Sequence, residues 1–424
     1  MRFLEEKFVP IVARIGQEKH LVAIRDSFMV TMPLTILGAI AVLINNIGGL
    51  FNEKGLDIPA IANGWESLIS STGIKTICTN INNGTVNTLA VLIVVCVAYN
   101  LAKIKEASAL PSGVTAIATY FALVPRLEGV QAAQLDAKGL FVAMIIGLLV
   151  GELFPIFAKN EKLRIKMPDG VPPAVAAAFN TMIPAMLTAI IWVGLGTAIE
   201  IVSGSNLWEL VTKFVSAPLS NVADSLGTTV IENLFVSILW VFGIHGASIA
   251  GSITQPILYP LLQANTASFA TGEAPAYTVV HLFRNVWGQQ GGSGATIGLI
   301  IAIFIFSKLQ SERTIAKLGV ACGMFEINEP ITFGIPIVMN PVYAIPFIIG
   351  PALCSTLAYF LTSAGIIGHI VLEIPWVTPP ILNAFLATGG NFAAAIWSAC
   401  QIVILTLLWS PFVIMSGRVN KQDE

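Results

Sequence analysis

Two acids stand in otherwise apolar sequence, at Glu326 and Glu329, within the run Phe-Glu-Ile-Asn-Glu-Pro at residues 325–330. If this sequence lies in a membrane, an acid at a helix centre costs at least about 2.5 kcal/mol on insertion scales. Glu326, Glu329 and the Asn328 amide between them therefore must face a cavity or polar partners. Pro330 removes a backbone donor, which favours a helix end beside Glu329.

A histidine, His245, lies between glycines in Gly-Ile-His-Gly at residues 243–246. Imidazole can accept a proton or donate a hydrogen bond near neutral pH, which suits catalysis. The alternative interpretation of a lone histidine in a membrane helix is a hydrogen-bonded packing residue. The proline-containing apolar stretch 251–262, which follows it, favours the functional interpretation.

Amides and tryptophans make up most of the other polar groups in apolar surroundings. One cluster lies at the start of the second apolar segment and comprises Asn80, Asn82, Asn83, Thr85 and Asn87. The other runs into Gly-Gly-Ser-Gly at residues 291–294 and comprises Arg284, Asn285, Trp287, Gln289 and Gln290. The glycine run lacks the Walker lysine, so it predicts a tight turn rather than a phosphate loop.

Trp240, Trp287 and Trp376 can each stack on a sugar ring or belong to an interfacial aromatic belt. Carboxylates and amides bind hydroxyls, and tryptophan covers the apolar face of a sugar. Together these groups indicate a neutral polyhydroxylated substrate. Three further acids, Glu152, Glu200 and Glu232, are interpreted as satisfied structural acids.

The composition is that of a membrane protein. Of 424 residues, 11% are charged and 55% hydrophobic, and the mean hydropathy is +0.81, whereas an average soluble domain has about 25% charged residues. The net charge of −2 gives no indication of nucleic-acid binding. The five cysteines are scattered without metal or disulfide spacing, so we predict no metal and no cofactor.

Apolar segments of about 20 residues, long enough to cross a bilayer, recur along the chain. The clearest are 27–51, 76–102, 107–125, 139–158, 171–199, 227–250, 287–307, 341–371 and 391–416. We therefore predict an all-α integral membrane protein with about ten spans. The stretch 207–226 mixes apolar and charged residues, which is typical of an amphipathic helix in the membrane interface.

Loops rich in Lys and Arg alternate with loops that are poor in them. This pattern predicts cytoplasmic N- and C-termini and a cytoplasmic loop 159–166. The rich groups are Arg2, Lys7, Arg14, Lys19 and Arg25, then Lys103 and Lys105, then Lys159, Lys162, Arg164 and Lys166, with Arg418 and Lys421 in the tail. The poor loops hold Lys54, Arg126 and Lys138.

Two apolar stretches are interrupted by proline or glycine. They are 251–262, with Pro256 and Pro260, and 330–341, with Gly334 and Pro336. Irregular backbone at membrane depth survives only where protein or a wet cavity covers it, and such stretches mark transporter binding sites. We expect both to be too broken to be ordinary spans.

Several motifs resemble enzyme IIC of the sugar phosphotransferase system, in its lactose/cellobiose/diacetylchitobiose family, and the likeness runs over essentially the whole chain. They are Phe-Gly-Ile-His-Gly at 242–246, Trp-Gly-Gln-Gln-Gly-Gly-Ser-Gly at 287–294, Asn-Glu-Pro-Ile-Thr-Phe-Gly-Ile-Pro-Ile-Val-Met-Asn-Pro at 328–341, Pro-Trp-Val-Thr-Pro-Pro at 375–380 and Met-Pro-Asp-Gly-Val-Pro-Pro at 167–173. The segment 328–341 is the most specific. Diacetylchitobiose and cellobiose permeases are the most similar subfamily.

The resemblance implies ten membrane helices, two re-entrant hairpins and an elevator-type transporter in the bacterial plasma membrane. It implies a homodimer formed by the scaffold half, residues 1–226, and a sugar-binding transport half, residues 227–424. Glu329 and His245 map to the catalytic positions. Substrate-binding positions map to Asn82, Asn83, Trp240, His245, Asn328, Glu329 and Trp376.

By the same resemblance, the partners are a disaccharide, lipid, and a phosphorylated IIB protein supplied by IIA. IIB gives its phosphoryl group to the sugar 6-hydroxyl, and whether Glu329 or His245 is the base stays open. An ion-coupled secondary transporter is the alternative, and a passive channel or receptor is a third. The loop 159–166 is either a IIB docking surface or an ordinary positive-inside loop.

Overall fold

The computed structural model describes residues 17–51, 58–124, 132–165, 167–168, 170–335 and 337–419, together with Arg14. Several residues of the predicted charge pattern and motifs lie outside the described residues: Arg2, Lys7, Lys54, Arg126, Lys166, Asp169, Pro336 and Lys421. Every regular element in the described part of the chain is helical. The predicted all-helical fold is confirmed.

The chain divides into two compact units. One comprises Met1–Gly38 and Asn80–Asn221, and the other comprises Ala39–Thr79 and Val222–Glu424. The division therefore falls inside the first long helix, Lys19–Asn46. The predicted functional halves, 1–226 and 227–424, stay a prediction.

Six helices in the described part of the chain are long and apolar enough to cross a membrane, or up to seven if one bent pair forms a single span. The six regions are Lys19–Gly49, Ile74–Ile104, Ala137–Ala158, Val175–Ser203, Pro341–Ser363 and Phe392–Ser416. Two shorter apolar helices are Ala109–Leu123 and Ile297–Phe306. The expected count of about ten spans stays a prediction.

The predicted amphipathic stretch is helical. It forms Leu207–Val211, a π-helical turn Thr212–Ser216 and Ala217–Ala223. The following helix, Leu226–Val241, is bent by 68° from it. Its position relative to a membrane interface stays a prediction.

One predicted broken stretch is not broken. Residues 251–262 lie inside a continuous helix, Gly246–Thr271, which contains Pro256 and Pro260. Both prolines are buried, and Leu258, Leu261 and Leu262 pack in a core cluster. Tertiary packing therefore compensates for the backbone hydrogen bonds that the two prolines remove, and the helix continues through both positions. The expectation of an irregular segment here was wrong.

The second stretch is irregular, as expected. The short helix Glu329–Gly334 ends there, and the next helix begins only at Pro341. Met339 between them has a φ of 59°, and its backbone N–H donates to the carbonyl of Val241 at 2.8 Å. The loop is therefore held to the end of the helix Leu226–Val241.

Close helix packing in the first unit depends on two glycines in Leu140–Ala158. A Cβ placed on Gly147 would lie 2.8 Å from the Val97 Cβ, and one on Gly151 would lie 2.9 Å from the Leu101 Cβ. Both are closer than side chains approach. Glycines four residues apart let helices associate closely where no hydrophobic effect drives them together.

We expect Gly147→Ala to lower the thermal unfolding temperature of the purified protein in detergent, because overpacking costs about 1–3 kcal/mol. Gly194→Ala is the matched control, since no atom lies within 4 Å of the added Cβ. Equal unfolding temperatures for the two variants would contradict this account of the packing.

Candidate functional site

His245 is the residue that caps the helix Gly246–Thr271. Its side chain accepts a hydrogen bond from the Ser248 backbone N–H, with Nδ1 at 3.2 Å, and Nδ1 lies 2.7 Å from the Ser248 Oγ. Because Nδ1 accepts from a backbone donor, the proton of the neutral imidazole lies on Nε2. The capping role thus fixes both the orientation and the tautomer of His245.

The chain reaches this cap through a close approach of two helices. Gly243 has a φ of 76°, which favours glycine. A Cβ on Gly246 would lie 2.5 Å from the Val236 carbonyl oxygen. The two glycines around His245 are therefore required to turn the chain tightly at the end of Leu226–Val241.

Glu329 begins the helix Glu329–Gly334, and Pro330 occupies its first turn. Its Oε1 lies 3.9 Å from the His245 Nε2, and the side chains are 45% and 52% exposed respectively. The separation is too long for a direct hydrogen bond. A ligand hydroxyl can lie within hydrogen-bond distance of both groups.

Asn328 is buried and holds the glycine turn to the Glu329 segment. Its Nδ2 donates to the Ser293 carbonyl at 2.8 Å and to the Thr332 Oγ1 at 2.9 Å. Both amide protons are used by the protein. The structure therefore gives Asn328 a positioning role, and its amide oxygen alone can face a ligand.

Glu326 is buried and accepts hydrogen bonds from two successive backbone N–H groups. Its Oε2 lies 2.8 Å from the Gly291 N and 2.9 Å from the Gly292 N. Its Oε1 accepts from the Asn383 Nδ2 at 3.3 Å. Glu326 itself has a φ of 64°, while Gly291 and Gly292 have φ values of 83° and 94°. These left-handed conformations aim the N–H groups at the carboxylate.

A cavity of about 290 Å³ brings these groups together. Four predicted site residues line it: His245, Asn328, Glu329 and Trp376. The other lining residues are Ala247, Ser248, Arg284, Asn285, Gln289, Ser293 and Glu326. Trp376 is 53% exposed, so its ring is available to a ligand. The lining combines carboxylates, amides, hydroxyls and one open aromatic ring.

Two tryptophans considered for stacking lie elsewhere. Trp240 is 2% exposed and is not among the lining residues. Its ring centroid lies 4.9 Å from that of His245, behind the imidazole. Trp287 is fully buried in a core cluster. The geometry gives Trp240 the position of a support for His245, and its predicted contact with substrate stays a prediction.

Asn82 and Asn83 lie in the other compact unit, near the end of the helix Ile74–Gly84. Asn83 Oδ1 accepts from the Asn87 Nδ2 at 2.9 Å. Asn82 Oδ1 is buried and has no hydrogen-bond partner among the described residues. Their contact with substrate stays a prediction.

Of the three acids predicted to be structural, Glu152 and Glu232 are satisfied by partners, whereas Glu200 is exposed. Glu152 accepts from the His20 Nε2 at 2.7 Å and pairs with Lys105. Glu232 pairs with Arg284, with Oε1 3.3 Å from Nε, and also accepts from the Thr254 Oγ1 at 2.9 Å. Neither carboxylate is open to a ligand in the way Glu329 is.

Sequence reasoning missed the position of Arg284, Ser248 and Asn285 in the lining. Arg284 and Asn285 belong to the polar run that precedes the glycine turn. The signal for Arg284 was present, since an arginine next to apolar sequence needs a buried partner. Ser248 follows His245 by three residues, which is the spacing of a helix cap.

We expect Glu326→Ala to lower the thermal unfolding temperature more than Glu326→Gln does. The alanine variant leaves the buried Gly291 N–H without an acceptor, at about 1–3 kcal/mol, whereas the glutamine oxygen can still accept. The Gly292 N–H keeps its second acceptor, the Gln289 carbonyl at 2.7 Å. Glu273→Ala, at an exposed acid, is the control. An alanine variant as stable as the wild type would contradict the anchoring role.

Comparisons with known proteins indicate the family to which this chain belongs. A family model described as "Phosphotransferase system, EIIC" matches residues 25–351. The lichenan permease IIC component of Bacillus subtilis is 32% identical, over 100% of this chain and 95% of the relative. A cellobiose-specific EIIC component of Lactococcus lactis is 31% identical, over 99% of this chain and 98% of that one.

A solved structure of a phosphotransferase system component is similar to this chain over nearly its whole length. The crystal structure of ChbC, the IIC component of the N,N'-diacetylchitobiose-specific phosphotransferase system, superposes with a TM-score of 0.88 at 29% identity. The match covers 98% of each chain. The fold, the family match over most of the chain and the full-length relatives agree, and the chain therefore belongs to the EIIC family of phosphotransferase system sugar permeases.

Proposed function

We propose that this permease carries a β-linked disaccharide inward and presents its 6-hydroxyl to a phosphorylated IIB protein. The observation that carries the proposal is the cavity in which the open carboxylate of Glu329 faces the Nε2 of His245 at 3.9 Å. Relatives named for cellobiose and oligo-β-mannosides, and the structural match to a diacetylchitobiose component, support this substrate class. Cellobiose and diacetylchitobiose are the proposed candidates.

In the proposed reaction, the sugar 6-hydroxyl lies between Glu329 and His245. The hydroxyl oxygen attacks the phosphorus of a phosphocysteine on IIB, the S–P bond breaks, and a new O–P bond forms. The hydroxyl proton passes to Glu329 or to His245. Phosphoryl transfer depends mainly on positioning and electrostatics, and a group that accepts the proton adds general-base catalysis.

Of the two groups, Glu329 is the better placed to accept the proton. The His245 Nδ1 is occupied by the Ser248 backbone N–H, so Nε2 carries a proton in the neutral imidazole and acts as a donor. Glu329 has no hydrogen bond comparable to those of Glu326 and is half exposed. We therefore propose Glu329 as acceptor and His245 as a donor that orients the hydroxyl oxygen.

Trp376 is the proposed stacking residue. Its exposed indole lies in the cavity lining, where it can cover the apolar C–H face of a pyranose ring. The cavity volume of about 290 Å³ is at the lower end of ligand pockets, which are roughly 300–1,000 Å³. Asn82, Asn83, Asn328 and Trp240 complete the proposed substrate-binding set.

The remaining features of the family are proposed with this function. They are a homodimer formed through residues 1–226, transport by movement of residues 227–424 as an elevator, two re-entrant hairpins, and cytoplasmic termini in a bacterial plasma membrane. IIA phosphorylates IIB upstream. The fit of His245, Glu329 and Trp376 to one cavity supports a binding site in the second half of the chain.

We expect Glu329→Gln to reduce the accumulation of phosphorylated sugar by roughly 10²–10⁴-fold. The measurement uses membrane vesicles that contain phosphorylated IIB. The amide keeps the size of the side chain but cannot accept the proton. Glu273→Gln, at an exposed acid in the same unit, serves as the control. Wild-type accumulation by Glu329→Gln would exclude this site assignment.

The same vesicles separate this function from an ion-coupled transporter. The proposed permease accumulates sugar phosphate only when phosphorylated IIB is present. Accumulation of unmodified sugar that follows a proton or sodium gradient without IIB would instead support the alternative. Rapid, non-saturable flux in both directions would indicate a channel.

The exposed basic loop with Lys159, Lys162 and Arg164 is proposed as part of the IIB docking surface. Lys159→Glu with Lys162→Glu should reduce phosphotransfer from IIB several-fold, more strongly at low salt because surface charges are screened. Sugar binding should be unchanged. If phosphotransfer is also unchanged at low salt, the charges serve only membrane topology.

A further inference from the structure

Arg284 is a buried arginine in the cavity lining whose hydrogen bonds are incomplete. It lies on the short helix Phe283–Gly288, is 8% exposed, and lines the cavity with Glu329 and His245. Its Nε donates to the Glu232 Oε1 at 3.3 Å. Its Nη1 is buried and has no hydrogen-bond partner among the described residues. A buried charged donor left without an acceptor is costly, so it indicates an absent partner.

The Glu232 carboxylate fixes Arg284 in place. Glu232 lies on Leu226–Val241 and is itself buried, and its Oε1 also accepts from the Thr254 Oγ1 at 2.9 Å. Three helices therefore meet at one carboxylate oxygen. Because the planar guanidinium is held through Nε, its other N–H groups are directed before any ligand arrives. Such preorganisation lowers the entropic cost of binding.

The charges around Arg284 decide what kind of ligand group it takes. Arg284 is already paired with Glu232, and the cavity lining also holds the carboxylate of Glu329. This surrounding negative charge disfavours a phosphate group beside Arg284. A neutral acceptor, such as a sugar hydroxyl oxygen, satisfies the N–H without adding charge.

We propose that Arg284 is a substrate-binding residue that donates from Nη1 to a neutral oxygen of the bound sugar, and that Glu232 positions it. This inference rests on the proposed function, because it concerns the same cavity. It assigns Arg284 a role in selecting the sugar rather than in transferring the phosphoryl group. A sugar that lacks the acceptor oxygen leaves the N–H unpaired, which is how polar sites reject analogues.

The test measures binding to the full-length purified protein in detergent. The probes are cellobiose and diacetylchitobiose, then the monodeoxy derivatives of whichever binds more tightly, and its 6-phosphate. The variants are Arg284→Lys, Arg284→Gln, and Arg284→Gln combined with Glu232→Gln. The combined variant removes both charges, so it leaves no buried charge unpaired and keeps the test available if a single variant does not fold.

We expect the wild type to bind one deoxy derivative about 10- to 100-fold more weakly than the parent sugar, through loss of the Arg284 contact. The Arg284 variants should bind the parent more weakly and lose this discrimination for that derivative alone. The matched control is Arg313→Gln. Arg313 donates to the Ser307 and Phe304 carbonyls at 2.9 and 3.0 Å and is not among the lining residues.

Two results would overturn the inference while leaving the proposed function intact. In the first, the Arg284 variants keep the wild-type discrimination among all deoxy derivatives, which indicates a purely structural role. In the second, they weaken binding of the 6-phosphate but not of the parent sugar, which indicates an anion site. If the wild type binds neither disaccharide, the proposed function itself fails, and this inference fails with it.

Discussion

The carboxylate of Glu326 and the amide of Asn328 hold the glycine turn at residues 291–294 against the segment that carries Glu329. Glu326 accepts from the N–H groups of Gly291 and Gly292, and Asn328 donates to the Ser293 carbonyl. A Cβ on Gly292 would lie 2.7 Å from the Asn328 Cβ, so the two segments touch directly. Without these bonds, the Gly291 N–H and the Ser293 carbonyl would lose the hydrogen-bond partners that the two side chains supply. The position of Glu329 opposite His245 depends on this junction.

Glu326 and Glu329, the two acids of the same motif, therefore have different roles. Glu326 is 7% exposed and uses both oxygens inside the protein, whereas Glu329 is half exposed and has His245 as a distant neighbour. A saturated buried carboxylate maintains structure, and an open one can bind a hydroxyl. The same contrast separates Glu232, which positions Arg284, from Glu329. Composition alone marks all three as unusual, but burial and partners assign their roles.

Much of the site could be predicted because polar groups in apolar sequence need a purpose. The cost of burying Glu329 and Asn328 pointed to a cavity, and both residues line one together with His245 and Trp376. The sequence indicates that Arg284 needs a buried partner, but it does not identify that partner, since Glu232 lies 52 residues away. Trp240 and Trp376 are alike in sequence, and only the structure shows that one is buried and the other open.

The fold class was predictable from hydropathy, but local breaks were not. Pro256 and Pro260 indicated a broken segment, yet both lie within the continuous helix Gly246–Thr271. Buried side chains on that helix, such as Leu258 and Leu262, pack in the core, and packing outweighs the lost hydrogen bonds. The irregular segment after Gly334 was predicted correctly, because there no helix continues until Pro341. Periodicity and proline content do not report tertiary contacts, which decided between these two cases.

We propose that the cavity lined by Glu329, His245 and Trp376 binds the sugar hydroxyl that becomes phosphorylated. An experimental structure of the full-length protein with bound cellobiose or diacetylchitobiose tests it most directly. We expect the sugar 6-hydroxyl to lie within hydrogen-bond distance of a Glu329 oxygen and the His245 Nε2, and a sugar ring to lie over the Trp376 indole. A disaccharide bound elsewhere, or one whose 6-hydroxyl lies away from Glu329, would contradict the account.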